Sequence, residues 1–341
     1  MTTMTAAFVE MTGGPFVLHE IARPEPAQGE VLVRIAVSGT NPLDAKIRAG
    51  EAPHARHALP AILGMDLAGI VAAVGPGVAD FRVGDAVFGL TGGVGGLQGS
   101  QAEFAAVDAR LLARKPRSLS IYEAAVLPLV AITAWEGLID RAQARAGQTV
   151  LVLGGGGGVG HVAVQIALAR GAKVFATARG EDLDYVRSLG AVAIEADIEP
   201  EIYVAEHTGG RGFDIVYDTL GGAVLDAAFR AVARFGHVVS CLGWGTHALA
   251  PLSFKQASYS GVFTLHTLLA DEGRALFGAI LRQVSDLAEA GTLRPRLDPR
   301  RFGFADIGAA YDALLGRNGA ARPKGKIAIT IDPQSADRRG V

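Results

Sequence analysis

The chain has 341 residues, of which 32 are Lys or Arg and 34 are Asp or Glu, and its formal net charge is −2. Half of the residues are apolar, which is enough to form the cores of two domains. The sequence has no basic stripe, no polybasic segment and no apolar run long enough to span a bilayer, so we expect neither nucleic-acid nor membrane partners. The single cysteine excludes an internal disulfide framework. The N-terminal residues lack a signal-peptide pattern, and we therefore expect a cytoplasmic protein.

The first third of the chain consists of short apolar runs that are interrupted by Gly and Pro. Examples before residue 120 are VLVRIAV, LAGIVAAV and DAVFGL. Runs of this length between turn residues predict a twisted antiparallel sheet or a partial barrel.

A glycine-rich turn follows an apolar run at residues 149–160, which read TVLVLGGGGGVG, and the helical pattern HVAVQIALAR comes directly after it. This strand–turn–helix order gives weight to a GxGxxG motif, because the turn lets backbone N–H groups approach a pyrophosphate at the start of a helix. A flexible glycine loop is the alternative interpretation. The predicted dinucleotide-binding residues of this turn are Gly154, Gly155, Gly157, Gly158, Val159 and Gly160.

The later part of the chain alternates apolar strands with helical patterns. The predicted strands are TVLVLG, KVFATA, AVAIEA, FDIVYD, HVVSCL and VFTL, and the predicted late helices cover 274–290 and 304–315. Six such strands predict a doubly wound parallel sheet, and the final run GKIAITI predicts a strand that returns to the first domain. We expect a split catalytic domain (1–121 and 266–341) around a nucleotide-binding domain (122–265), with the site in the cleft between them.

Several segments, in order from residue 29 to residue 331, resemble the medium-chain dehydrogenase/reductase superfamily. They are GEVLVRIAVSGTNPLDAKIRAG, LPAILGMDLAGIVAAVGPGV, FRVGDAVFG, AAVLPLVAITAWEGL, the glycine motif, FDIVYDTLGG and GKIAI. The similarity is to the zinc-independent quinone-oxidoreductase (zeta-crystallin-like) and enone-reductase branch. It implies an α/β chain with a GroES-like catalytic domain and a Rossmann domain.

The positions of the zinc ligands in metal-dependent members of this family hold other residues here. Asn41 stands where those members have a Cys, Met65 where they have a His, and the third position falls near Leu129. Zinc sites need N, S or O donors, so we predict no metal. Without a Lewis acid, alkoxide stabilisation is lost, whereas hydride transfer to an enone or a quinone needs only hydrogen bonds to the developing enolate. We therefore expect an oxidoreductase that reduces a small electrophilic substrate. A zinc-free alcohol or aldehyde dehydrogenase and a non-catalytic NADPH-binding redox sensor stay open as alternatives.

The end of the second nucleotide-domain strand bears on the choice between NADPH and NADH. NAD-binding sites place an acid there, but the chain has Thr177, Ala178 and Arg179. A small residue followed by a guanidinium suits a 2′-phosphate, so we predict NADPH rather than NADH. Arg179 as a solvated turn residue is the alternative. Glu181 and Asp182 follow and would repel a phosphate, although acids are also favoured in a first helical turn.

The resemblance implies further cofactor contacts. Asn41 would reach the nicotinamide ribose, Thr133 would meet the nicotinamide end, and Lys326 would lie near the phosphates. An Asx-turn, helix packing and an exposed strand lysine are the respective alternatives. The remaining predicted contacts follow strand ends or face the carboxamide, and they are Leu220, Gly221, Leu242, Gly243, Phe263 and Leu265.

The catalytic residue is the least determined feature. A family tyrosine that follows the NPxD motif is absent, and the nearby candidates are Lys46 and Ala52. Lys46 would stabilise an enolate oxygen, or it would be a surface lysine paired with an acid such as Asp44. Tyr259 is the second candidate, with a core tyrosine as its alternative, and solvent is a third proton source. As in relatives, we expect a homodimer formed through the edge strand of the Rossmann sheet, for which VFTL is the candidate.

Overall fold

A computed structural model describes residues 2–336. The chain forms two compact units: one combines the residues up to Leu129 with those from Leu265 onward, and the other is Val130–Thr264. The sequence placed these divisions after residues 121 and 265.

The strands are, in chain order, β1 Thr3–Val9, β2 Phe16–Ala22, β3 Glu30–Gly39, β4 Ala61–Ile62, β5 Asp66–Val74, β6 Ala86–Leu90, β7 Phe104–Asp108, β8 Leu112–Arg114, β9 Thr149–Leu153, β10 Lys173–Ala178, β11 Val192–Glu195, β12 Phe213–Asp218, β13 Val232–Ser240, β14 Ser258–Gly261, β15 Phe302–Gly303 and β16 Ala328–Thr330. The helices are α1 Pro42–Arg48, α2 Ile121–Ala125, α3 Pro128–Trp135, α4 Gly160–Ala169, α5 Glu181–Ser188, α6 Pro200–Thr208, α7 Ala223–Ala231, α8 Ala250–Lys255, α9 Thr264–Leu269, α10 Arg274–Glu289, α11 Ile307–Leu315 and α12 Pro333–Ala336. A π-helical stretch, Glu136–Arg141, continues from α3, and short 3₁₀ turns lie at Pro53–Ala55, Ala109–Leu111 and Phe304–Asp306.

The first unit is built on a sheet in the order β15-β16-β3-β5-β6-β8, with β7 also paired to β3. Strand β3 lies in the interior of this sheet. Its side chains are buried almost throughout, so both of its faces are covered. Strand β16 pairs antiparallel with the end of β3, with Ala328 opposite Gly39. The predicted return of GKIAITI to the first domain is therefore confirmed, and α1 begins directly beyond the end of β3.

The second unit is a parallel sheet in the order β11-β10-β9-β12-β13-β14. This is the doubly wound order in which the first strand, β9, lies beside the fourth, β12, and ligands bind at the carboxyl ends of the strands around that reversal. The core contains Leu151, Phe175 and Val216, which come from three neighbouring strands of the sheet.

The predicted sixth strand was wrong in its position. The segment VFTL was expected to be the strand, but β14 is the preceding Ser258–Gly261, and α9 begins at Thr264. An edge strand pairs on one side only and need not be apolar. The buried Val262 and Leu265 instead fill positions around the turn from strand to helix.

Among residues 2–336, no helix has both the length and the apolar character needed to cross a membrane.

Candidate active site

The glycine turn of the second unit connects β9 to α4 with close backbone contacts. Gly154 has a φ of +86°, which favours glycine. The Gly154 N–H donates to the Thr177 hydroxyl (3.0 Å), and the Gly155 N–H donates to the Thr177 carbonyl (2.8 Å). A Cβ built on Gly160 would lie 2.0 Å from the Gly154 carbonyl oxygen. Only glycine therefore fits at the first position of α4, and the helix N-terminus stays close to the strand end, as pyrophosphate binding requires.

The carboxyl ends of β12 and β13 are joined by a buried acid that the sequence analysis missed. The Asp218 carboxylate accepts hydrogen bonds from the backbone N–H groups of Leu220 (3.0 Å) and Gly221 (3.0 Å) and from the Ser240 hydroxyl (2.7 Å). The Ser240 hydroxyl oxygen also accepts from the Leu242 N–H at 3.0 Å. Asp218 thus fixes both loops in which cofactor contacts were predicted. The only signal in the sequence was an acid at the end of the apolar run FDIVYD.

The predicted nicotinamide-end residue Thr133 belongs to a chain of polar groups. Its hydroxyl lies 3.2 Å from that of Thr264, and the Thr264 hydroxyl donates to the Glu136 carboxylate at 2.6 Å. Burial raises the pKa of Glu136 above its usual value. The Tyr217 hydroxyl donates to the Thr133 carbonyl at 2.7 Å. Thr133 is 8% exposed, so it is firmly positioned in the second unit.

Phe263 and Tyr259, two further predicted residues of the second unit, are more exposed than Thr133. Phe263 is 39% exposed and meets Trp244 edge to face, with ring centroids 5.8 Å apart. Tyr259, on the edge strand β14, is also 39% exposed, so the core interpretation of this tyrosine was wrong. A Cβ on Gly243 would lie 2.0 Å from the Tyr259 hydroxyl oxygen, which therefore packs against the loop after β13.

The first unit contains a buried polar cluster around Asn41, the residue expected at the nicotinamide ribose. The Asn41 amide nitrogen donates to Asp66 at 2.9 Å, and its amide oxygen accepts from the Lys326 ammonium group. Lys326 also donates to the Thr40 carbonyl at 2.7 Å and lies 3.9 Å from Asp66. Lys326 is 5% exposed, so the alternative of an exposed strand lysine was wrong. Its ammonium group holds Asn41 in place.

Asp66 accepts hydrogen bonds from two of the positions where zinc enzymes of the family have their ligands, Asn41 and Leu129, and it directly follows the third. Its second oxygen accepts from the Leu129 N–H at 2.8 Å, and its neighbour Met65 is fully buried. Burial raises the pKa of Asp66 and lowers the pKa of Lys326, while each charge opposes the shift of the other. In the part of the chain described, no group of three His, Cys, Asp or Glu side chains is arranged to hold a metal ion.

A second buried carboxyl group, that of Asp44, lies next to this cluster. One of its oxygens accepts from the Asn41 N–H (2.8 Å) and from the Tyr311 hydroxyl (3.0 Å), and the Tyr311 oxygen accepts from Gln101 at 2.6 Å. The pKa of Asp44 is raised to about 7, chiefly because burial removes the carboxyl group from water. Asp44 is therefore not the partner of Lys46, which is exposed on the outer side of α1.

Two family descriptions match the chain: "Alcohol dehydrogenase GroES-like domain" over residues 27–117 and "Zinc-binding dehydrogenase" over residues 158–290. An NADPH-dependent alkenal/one oxidoreductase of Arabidopsis thaliana is 34% identical over 304 residues, which cover 86% of this chain and 71% of that protein. A phenolphthiocerol synthesis polyketide synthase type I of Mycobacterium bovis is 35% identical over 94% of this chain, but the chain spans only 14% of its length.

Among solved structures, the fold matches a crystal structure of an alcohol dehydrogenase superfamily protein from Novosphingobium aromaticivorans. The TM-score is 0.96 and the identity is 73%, and the match covers 96% of this chain and 99% of the other. The sheet order, the glycine turn and these matches agree with one another, and the chain belongs to the medium-chain dehydrogenase/reductase superfamily, a family of nicotinamide-dependent oxidoreductases.

Proposed function

We propose that the chain is an NADPH-dependent reductase of α,β-unsaturated carbonyl compounds that works without zinc and also accepts quinones. The observation that carries this proposal is the match to the alkenal/one oxidoreductase over 86% of the chain, combined with the residues at the family's metal positions. Those positions hold an amide, a thioether and an aliphatic side chain, in Asn41, Met65 and Leu129. None of these makes a zinc site of the usual donor type.

The buried cluster in the first unit supports a zinc-free site. Asp66 already has a cation near it, the Lys326 ammonium group at 3.9 Å, and both of its oxygens accept hydrogen bonds. A buried carboxylate needs such partners, and here the protein supplies them itself. We infer that Lys326 provides the positive charge that a metal provides in other members of the family.

The second unit fits a nicotinamide dinucleotide. The glycine turn leaves no room for a Cβ at Gly160, so the N-terminus of α4 lies close to the end of β9, where the start of a helix attracts a phosphate. The turn would hold the pyrophosphate, Arg179 the 2′-phosphate, and Thr133 the nicotinamide end. When bound, the dihydronicotinamide supplies a hydride.

The protein's contribution is then to orient the substrate and to stabilise its developing charge. Hydride would add to the β-carbon of the enone, the π electrons of the C=C bond would shift toward the carbonyl oxygen, and a proton from solvent would complete a C–H bond at the α-carbon. Lys46 stays our candidate for stabilising that oxygen because its ammonium group is exposed and has no partner within residues 2–336. Tyr259 is the weaker candidate, since its hydroxyl packs against the Gly243 loop.

The test is anaerobic stopped-flow oxidation of NADPH and of NADH, with a simple enone and a small quinone as acceptors, in the presence and absence of a chelator. We expect oxidation that does not respond to the chelator and that is faster with the enone. Loss of activity in the chelator would overturn the zinc-free mechanism. Binding of NADPH without turnover of either acceptor would favour the redox-sensor function instead.

We also propose that the chain forms a homodimer through β14. This strand is the terminal strand of the parallel sheet, and within residues 2–336 it pairs only with β13, so one row of its backbone groups is available to a second copy. Sedimentation equilibrium over a range of concentrations measures the mass. A mass of one chain throughout would overturn this proposal.

A further inference from the structure

We propose that Asp197 is a specificity-determining residue that competes with a 2′-phosphate for Arg179, and that Asp182 accepts the ribose hydroxyl groups of NADH. The site then prefers NADPH to NADH only modestly, because Arg179 has to give up this pair before it binds the phosphate. This inference rests on the proposed function only in placing the dinucleotide on the glycine turn.

The ion pair between Arg179 and Asp197 uses the groups that would bind a phosphate. The Arg179 Nε lies 3.1 and 3.2 Å from the two Asp197 oxygens, and a terminal guanidinium nitrogen lies 2.6 Å from one of them. A guanidinium binds phosphate through the same parallel N–H groups. Arg179 must therefore release Asp197 before it can bind a 2′-phosphate in this way.

The sheet brings the two residues together. Strands β10 and β11 are neighbours, and the Ala196 N–H donates to the Ala178 carbonyl at 2.9 Å directly beyond the paired residues. Arg179 and Asp197 follow these two residues, one on each strand end. The pair is therefore a consequence of the strand register and does not depend on a long loop.

Asp182 lies against the glycine turn. A Cβ built on Gly156 would lie 2.7 Å from both Cγ and Oδ2 of Asp182. The carboxylate is thus in contact with the middle of the turn, although it comes from the first turn of α5 and not from the strand end. An acid beside this turn is the group that binds a ribose diol in NAD-dependent Rossmann domains.

The charges around Arg179 also weaken its attraction for a phosphate. Asp197 is paired with it, and Glu195 acts on it electrostatically. Two acids thus act on one cation, and a 2′-phosphate would add further negative charge. The Arg179 and Asp197 side chains are 70% and 68% exposed, so their pairing is weak and would be displaced at a cost of about two- to fivefold in affinity.

The experiment is calorimetric titration of the full chain with 2′,5′-ADP and with 5′-AMP, which differ in the 2′-phosphate. We expect the wild-type chain to bind the two probes within about tenfold of each other. Asp197→Asn should tighten 2′,5′-ADP about two- to fivefold and leave 5′-AMP unchanged. Asp182→Asn should weaken 5′-AMP. The matched control is Asp184→Asn, which removes an exposed acid of the same helix that pairs with Arg187 at 2.6 Å.

The outcomes separate this inference from the proposed function. Unchanged 2′,5′-ADP binding in Asp197→Asn, or an equal change in the Asp184→Asn control, would overturn the proposal that Asp197 competes with the 2′-phosphate for Arg179. A wild-type preference for 2′,5′-ADP of more than a hundredfold would do the same. If the probes bind as expected while no acceptor is reduced, the reductase function fails and the inference stands. If neither probe binds, both the dinucleotide site of the proposed function and the present inference fail.

Discussion

The Asp44 carboxyl group and the Tyr311 hydroxyl group form a hydrogen bond of 3.0 Å in the interior of the first unit, where both residues are almost completely buried. The other Asp44 oxygen has no hydrogen-bond partner within the described residues, and neither has the side-chain amide oxygen of Gln101. Two buried acids, Asp44 and Asp66, thus share one buried cation, Lys326. Because a buried charge without a partner is costly, the cluster is most stable when one acid holds a proton.

This arrangement predicts a pH-dependent stability. Burial raises the pKa of Asp44 from 3.8 to about 7, so the folded state binds the proton more tightly than the unfolded state. The stability that comes from this group is fully present below pH 3.8 and is lost as pH rises through about 7. Asp44→Asn removes the titration. The melting temperature of this variant minus that of the wild type should increase from pH 5 to pH 8. The increase should be roughly 2–4 °C for each kcal/mol of unfolding free energy that the wild type loses over this range.

The matched control for this measurement is Asp306→Asn, which changes an exposed acid immediately before α11. The difference in melting temperature between this variant and the wild type should stay constant over the same pH range. A constant difference for Asp44→Asn as well would contradict the protonation of Asp44 in the folded protein.

Glycine at position 160 is predicted to be essential for dinucleotide binding. The Cβ of Gly160→Ala would lie 2.0 Å from the Gly154 carbonyl oxygen, so the turn has to move away from the helix N-terminus. We expect the Kd for NADPH, measured by fluorescence titration, to rise about a hundredfold or more, since several backbone contacts are displaced together.

Gly308→Ala is the comparison for this variant, because it lies within α11 and a Cβ there would meet nothing within 4 Å. Alanine is a better helix former than glycine, so this variant should be at least as stable as the wild type and should bind NADPH as the wild type does. Normal binding by Gly160→Ala would show that the pyrophosphate does not use this turn.

The sequence predicted the parallel sheet and the glycine turn well because both follow from local patterns. An apolar run, a glycine cluster and a helix are contiguous in residues 149–169, and the fold only has to preserve their order. It could not predict the partners of Lys326, because Asn41 and Asp66 are 285 and about 260 residues away along the chain. Likewise, nothing near Arg179 indicated that strand pairing would bring Asp197 against it.

Strand β14 shows a further limit of pattern reading. The apolar pattern predicts the strand at VFTL, whereas pairing runs from Ser258 to Gly261 and the helix starts at Thr264. An apolar segment is expected to be buried, but it need not be a strand. At the edge of a sheet, the turn that follows the strand can place apolar side chains in the core as well as the strand does.

Asp218 is predicted to control both loops at the carboxyl edge of the parallel sheet. In Asp218→Asn only the amide oxygen can still accept from the backbone N–H groups of Leu220 and Gly221, and the neutral amide nitrogen in the place of the second oxygen cannot accept from the Ser240 hydroxyl. Hydrogen bonds to a charged group contribute about 1.5–3 kcal/mol, so we expect a large loss of stability and faster amide exchange at residues 219–221 and 241–243. Ser240→Ala removes a single contact and should have a smaller effect. Equal effects from the two variants would contradict the central role of Asp218.

Lys326 is predicted to act through Asn41 and Asp66. In Lys326→Met the Asp66 carboxylate loses its nearby cation, and the Asn41 amide oxygen loses a donor. Removing one partner of a buried ion pair costs about 3–5 kcal/mol, because the remaining charge is left uncompensated. The second substitution Asp66→Asn removes that charge, so the double variant should recover a large part of the lost stability in a denaturant titration. The double variant does not return the donor to the Asn41 amide oxygen, so the Kd for NADPH should stay raised while stability recovers, and a Kd that recovers together with stability would contradict the positioning of Asn41 by Lys326.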